Sequence, residues 1–173
     1  MHNTVQNLIK ITDEIKLNLR DSNIVNLPKI IAVSKTFKID KILPLIDYGH
    51  IDFGENKIQE AVDKWTEIKS KNKNIKLHMI GKLQTNKVKF AVKLFDYIHS
   101  VDSEKLAKKI ADEQSKIDKK IKIFIQINIG NEEQKSGINK NELEDLVSYC
   151  KKINLNVIGL MCIPPADEDA SIY

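Results

Sequence analysis

With 173 residues, 42% hydrophobic and 30% charged, the chain has the length and composition of one folded domain with a buried core. No run of about 18 apolar residues exists, which excludes a membrane-spanning helix. The start, Met1-His2-Asn3-Thr4-Val5-Gln6-Asn7, lacks the basic and apolar regions of a secretory signal, so a cytoplasmic protein is expected. The net charge of +4 invites nucleic acid, but only Arg20 among the 28 basic residues is arginine, and the lysines are interspersed with 24 acids. Nucleic-acid readers lean on arginine for bidentate and stacking contacts, so no such partner is expected.

In chain order, Val5, Leu8, Thr12, Ile15 and Leu19 recur at steps of three and four and predict a first helix. The run Ile30–Ser34 predicts a strand. Asp40 is placed to cap a short helix carrying Ile42, Leu43, Leu45 and Ile46, with Pro44 in its first turn and Gly49 at its end. Ile51-Asp52-Phe53 is a second strand, which Gly54 turns into a helix striped by Ile58, Ala61, Val62, Trp65 and Ile68. A polar loop, Lys69–Asn74, leads to a third strand, Leu77–Ile80. Val88, Ala91, Val92 and Phe95 mark the next helix, and Tyr97-Ile98-His99 the fourth strand. Asp102 or Ser103 then caps a helix with Leu106, Ala107, Ile110 and Ala111 inward.

Alternation is clearest in the fifth strand, with Ile121, Ile123, Ile125, Ile127 and Ile129 on one face. Its loop holds Gly130 and Gly137. Asn139 with Glu142 forms a capping-box start for a helix striped by Leu143, Leu146, Val147 and Cys150. Val157–Met161 is the last strand, stopped by Pro164-Pro165. Cys150 and Cys162 are far apart and stand in apolar contexts, which predicts two buried thiols.

A leading helix followed by six alternating strands and helices implies a parallel sheet. Both an open doubly wound sheet and a (β/α)8 barrel fit this pattern. The glycine signatures of dinucleotide and nucleotide phosphate loops are absent, as is a G-x-S-x-G elbow. His2, His50, His78 and His99 show no metal spacing, so no metal is expected. What remains is a set of polar residues at strand ends, where α/β folds collect their chemistry. Lys35 closes the first strand. Its amine could form a Schiff base with an aldehyde if desolvation kept it neutral, or it could simply reach water on a packed stem. Asn56 and Asn86 could orient a ligand or start helices. His78, inside a strand, reads mainly as a hydrogen-bonded core histidine, and Glu55 as a helix-dipole partner.

Taken together, several stretches resemble one family. They are Ile31-Ala32-Val33-Ser34-Lys35-Thr36, Asp52-Phe53-Gly54-Glu55-Asn56, and His78-Met79-Ile80-Gly81-Lys82-Leu83-Gln84-Thr85-Asn86-Lys87. His99-Ser100-Val101-Asp102, Gln126-Ile127-Asn128 with Lys135-Ser136-Gly137, and Gly159-Leu160-Met161-Cys162-Ile163-Pro164-Pro165 complete the set. In this order they resemble the pyridoxal phosphate homeostasis proteins, the YggS-like or PROSC-like family.

That resemblance implies an α/β, TIM-type (β/α)8 barrel of the alanine-racemase N-terminal type, with about six βα units present in one domain spanning 1–173. It implies pyridoxal 5′-phosphate (PLP) at the strand ends, carried as an aldimine on Lys35, with Asn56, His78, Asn86 and Met161 as further cofactor contacts. It implies a PLP carrier and regulator in the cytoplasm, not an enzyme, with PLP-dependent apoenzymes as recipients. Members of the family continue through two more strand–helix units whose loops bind the cofactor phosphate. Those units are not in these 173 residues, so weakened PLP binding is expected, as is a monomer with exposed edges at strands one and six that invite association. The rival readings are a racemase- or decarboxylase-like PLP enzyme and a degenerate protein that no longer holds PLP.

Overall fold

Among the described residues the apolar stripes become six α-helices: α1 (Asn3–Asn18), α2 (Leu43–Asp47), α3 (Ile58–Lys71), α4 (Val88–Leu94), α5 (Glu104–Ser115) and α6 (Leu143–Lys152). Between them run β1 (Ala32–Val33), β2 (Asp52–Glu55), β3 (Lys76–Met79), β4 (Tyr97–Val101), β5 (Lys122–Gln126) and β6 (Asn156–Met161). The structure, a computed structural model, describes residues 1–20, 26–130 and 136–165. Lys135 of the sequence motif and the terminal Tyr173 lie outside the described residues. Among the described residues, no helix is long and apolar enough to cross a membrane.

Every strand pairing is parallel, and the sheet order is β1-β2-β3-β4-β5-β6. A doubly wound sheet reverses its order at a switch point, whereas a barrel wall adds strands in sequence. Of the two architectures that the alternation allowed, the strand order is the barrel's.

The pleat then sorts the side chains. Phe53 and Glu55 of β2 face α3, with the Phe53 ring 4.9 Å from that of Trp65. Register carries the same face to Leu77 and Met79 in β3, and onward to Ile98, Ile123 and Ile125. All of these are buried between the sheet and the helices, together with Ala61, Trp65, Val88, Ala91 and Ile110. The opposite, inner face carries Asp52, Gly54, His78, Tyr97, His99 and Phe124. There His78 stacks on Tyr97 and His99 on Phe124, with centroids 4.2 Å apart in each pair.

Several boundaries differ from the sequence reading, for physical reasons. β2 runs through Gly54 into Glu55, because Gly54 is a strand residue squeezed between neighbours. A Cβ there would lie 3.1 Å from both the Ile31 and Ile80 side chains. Asp40 does not cap α2. It lies inside a 3-10 turn, Ile39–Lys41, which precedes the helix. α3 continues to Lys71, so the polar loop is shorter than expected. Ser103, not Asp102, caps α5, its Oγ accepting from the Leu106 N–H at 3.3 Å. The Asn139–Glu142 capping box forms as expected. Cys150 is buried, but Cys162 is exposed, since it follows the last residue of β6.

Ile123 sits at the centre of this core with no exposed surface. Ile123→Ala is expected to lower unfolding free energy by about 2–5 kcal/mol in urea titrations. A loss below about 1 kcal/mol would contradict a fully packed β5.

Candidate active site

The end of β1 builds the mouth. Ser34 N–H donates to Gly54 O at 2.9 Å, extending the β1–β2 ladder by one residue, and the Phe37 N–H returns to Ser34 O at 3.2 Å. Lys35 and Thr36 are the two residues of that tight turn, and Thr36 takes a left-handed φ of 65°. Lys35 is exposed at the tip. Val33, Gly54 and His78 are register partners, so Lys35, Asn56 and Ile80 stand two residues further on, level with one another at the strand ends.

Asn56 does not cap a helix. The residue before α3 is Lys57, which makes no side-chain capping bond, and the Asn56 Oδ1 is buried without a hydrogen-bond partner. Gly81 packs directly on it: a Cβ at Gly81 would sit 2.5 Å from Asn56 O. Beside this contact opens a cavity of about 240 Å³ lined by Gly81, Gln126, Asn128, Ser136 and Met161. The Gln126 amide donates to Ser136 O at 3.0 Å. Gly137 follows at φ 124°, where a side chain would strike the Asn128 nitrogen at 2.7 Å. Asn86 is not part of this group. It lies in the 3-10 turn Thr85–Lys87, exposed, against Lys105 and Lys109 of α5.

Beneath the mouth, the inner face carries a relay that the sequence did not announce. His78 Nε2 lies 3.0 Å from Asp52 Oδ1, and His78 Nδ1 lies 2.9 Å from His99 Nε2. Both ring nitrogens of His78 are therefore engaged, and the residue is a floor beneath the strand ends. Burial pushes the His78 imidazole below its ordinary range, with Asp52 opposing the shift. Burial, aided by repulsion from His78, brings His99 down to about 4. On the helix side of β2, Glu55 is fully buried. Its Oε1 accepts from Ser34 Oγ at 2.7 Å and from Trp65 Nε1 at 2.9 Å, so it is a core hydrogen-bond hub and not a helix-dipole partner. Among the described residues, no cluster of three His, Cys, Asp or Glu could hold a metal ion.

A family model described as alanine racemase, N-terminal domain, matches residues 12–172. The pyridoxal phosphate homeostasis protein of Haemophilus influenzae is 36% identical over 171 residues, covering 97% of this chain and 72% of that protein. Its counterpart from Pasteurella multocida is 37% identical over 142 residues, covering 82% of this chain. The chain spans 61% of the length of that second relative. Among solved structures, PipY of Synechococcus elongatus with PLP bound superposes at a TM-score of 0.76 with 31% identity, covering 92% of this chain and 73% of that one.

The histidine floor makes stability depend on pH. Between the ordinary value of 6.5 and about 4, the unfolded chain takes up a proton on His99 that the folded chain refuses. Stability is therefore intact above pH 6.5 and falls as pH drops through that window, by roughly 3 kcal/mol from this residue. His99→Phe should flatten this part of the slope when urea unfolding is compared at pH 7.5, 5.5 and 4.5. Equal slopes in the two proteins would remove His99 as the cause.

Proposed function

This chain belongs to the pyridoxal phosphate homeostasis proteins of the alanine racemase N-terminal domain family, and from that premise we propose that it binds PLP at the strand-end mouth. Lys35 is the covalent anchor in this reading, and the protein acts as a cytoplasmic carrier that passes PLP to apoenzymes, without turnover of its own. The observation that carries the reading is the placement of Lys35 on a tight turn at the rim, level with the unpartnered Oδ1 of Asn56. PLP supplies an aldehyde that an amine can capture reversibly. Lys35 would hold PLP through that aldehyde, the amine and the aldehyde joining with loss of one water and no change of oxidation state.

The residues present fit such a ligand. Asn56 offers an acceptor with no competing protein donor. Met161 gives the 240 Å³ cavity an apolar wall, and Gly81 gives it room. His78 supports the floor from below, held by Asp52 and His99. The racemase-like alternative needs an acid–base group facing Lys35; incubation with amino acids tests it, through the appearance of racemised or decarboxylated product.

Borohydride treatment of the chain mixed with PLP, followed by peptide mapping, should place one phosphopyridoxyl group on Lys35. Mapping is needed because Lys119, which burial lowers to about 8, is a competing amine elsewhere in the fold. No adduct at Lys35 at high PLP would defeat the carrier reading. Asn56→Ala should weaken PLP binding about tenfold, the size of one buried hydrogen bond; unchanged affinity would remove Asn56 from the site.

A further inference from the structure

Lys35 is flanked on both sides by backbone groups that α3 holds. On one side, Ser34 O accepts from Lys64 Nζ at 2.8 Å. On the other, the Thr36 N–H donates to Glu60 Oε1 at 2.8 Å. The two α3 side chains are one turn apart and meet each other, Lys64 Nζ lying 3.4 Å from Glu60 Oε1. Lys64 also donates to Glu55 Oε1 at 2.9 Å, the same oxygen that takes the Ser34 hydroxyl and the Trp65 indole.

The setting of this network argues for a specific task. The Lys64 side chain is 9% exposed and that of Glu55 is 0% exposed. Desolvating an ion pair to this degree is unfavourable enough that such pairs seldom add net stability, and their attested use is to specify one geometry. The geometry specified here is unusual, since Thr36 is β-branched yet held in the left-handed region. A turn of that kind persists only when its surroundings over-determine it. Glu60 supplies one such constraint, and its Thr36 N–H contact is the largest influence holding the carboxyl below its ordinary range. The helix that carries the clamp is anchored to the sheet, because Ala61 and Trp65, next in sequence to Glu60 and Lys64, are fully buried.

We infer that Glu60 and Lys64 are positioning residues for Lys35, clamping the turn on both sides so that the amine is presented to a carbonyl ligand in one orientation. The inference rests on the carrier reading above, since it concerns the same lysine. Neither side chain touches the ligand in this account; each acts through the backbone next to Lys35. Holding a nucleophile near its attack geometry raises its rate of addition, and a freed turn loses that advantage.

The test compares phosphopyridoxyl labelling of Lys35 and Lys119 in the same sample, using PLP as the probe and borohydride as the trap. Lys119 serves as an internal reference, as it donates to Phe95 O at the far end of α4. Circular dichroism melts fix the folded fraction of each variant. Glu60→Ala and Lys64→Met are expected to cut the rate of Lys35 labelling about tenfold relative to Lys119. Lys64→Arg, which keeps a donor and a charge, should recover most of it. Adding Thr36→Gly to Glu60→Ala should recover part of it, since glycine adopts the left-handed turn unaided. A purely structural role would lower both labels together, in step with the melt. An unchanged Lys35-to-Lys119 ratio in folded Glu60→Ala and Lys64→Met overturns the clamp while leaving the carrier reading intact. Absence of Lys35 labelling in the unsubstituted chain overturns the carrier reading first, and the clamp with it.

Discussion

Parallel pairing in strict chain order is the constraint from which the rest of the molecule follows. Each strand must be joined to the next by a crossover, and right-handed crossovers in one direction put every helix that lies between two strands on the same side of the sheet. One face of each strand therefore meets helices and must be apolar or fully satisfied. The other face meets its own kind across the inner surface. Phe53, Leu77, Met79, Ile98, Ile123 and Ile125 obey the first rule. Asp52, His78, Tyr97, His99 and Phe124 obey the second, pairing polar and aromatic groups with one another. The mouth is then the place where all the strand ends emerge together.

Glu55 is the exception to the first rule, and it shows what an exception costs. A carboxylate among Phe53, Trp65 and Leu77 survives only because a lysine, a hydroxyl and an indole converge on one of its oxygens. That arrangement ties β1, β2 and α3 to one another at the place where the chain turns through Lys35. A hydrophobic residue at position 55 would pack the same layer with less electrostatic risk. It could not reach Ser34 Oγ or Lys64, so the turn would lose its footing on the sheet.

Much of the fold was legible because periodicity of 3.6 and of 2 is written in the apolar residues themselves. The stripe through Ile58, Ala61 and Trp65 and the alternation from Ile121 to Ile127 both predict burial that the structure shows. The misread places are those where a neighbour distant in sequence decides. Gly54 reads as a turn residue, but Ile31 and Ile80 press on it from both sides and make it a strand residue. Asn56 reads equally as a cap or a ligand contact, and only its unpartnered oxygen separates the two. Glu60 and Lys64, four residues apart on a helix, are singled out by no motif or periodicity in the sequence. Nothing local says that the Ser34–Thr36 turn folds onto them. The histidine relay was hidden for the same reason, as His78 and His99 are 21 residues apart and meet only through register.

The separation between Lys35 and the cavity is a consequence of this layout. The cavity lies between the ends of β3, β5 and β6, while Lys35 stands at the end of β1, across Asn56. A lysine side chain is long enough to lean over a neighbouring strand end, but its many rotamers make that reach diffuse unless its backbone is fixed. Pinning Ser34 O and the Thr36 N–H removes the largest part of that uncertainty at the base of the side chain. What stays free is the methylene stem alone. In the carrier reading proposed above, such a division suits an amine that both captures and releases its ligand: a firm base would keep capture selective, and an exposed tip would leave the linkage open to water and to an acceptor.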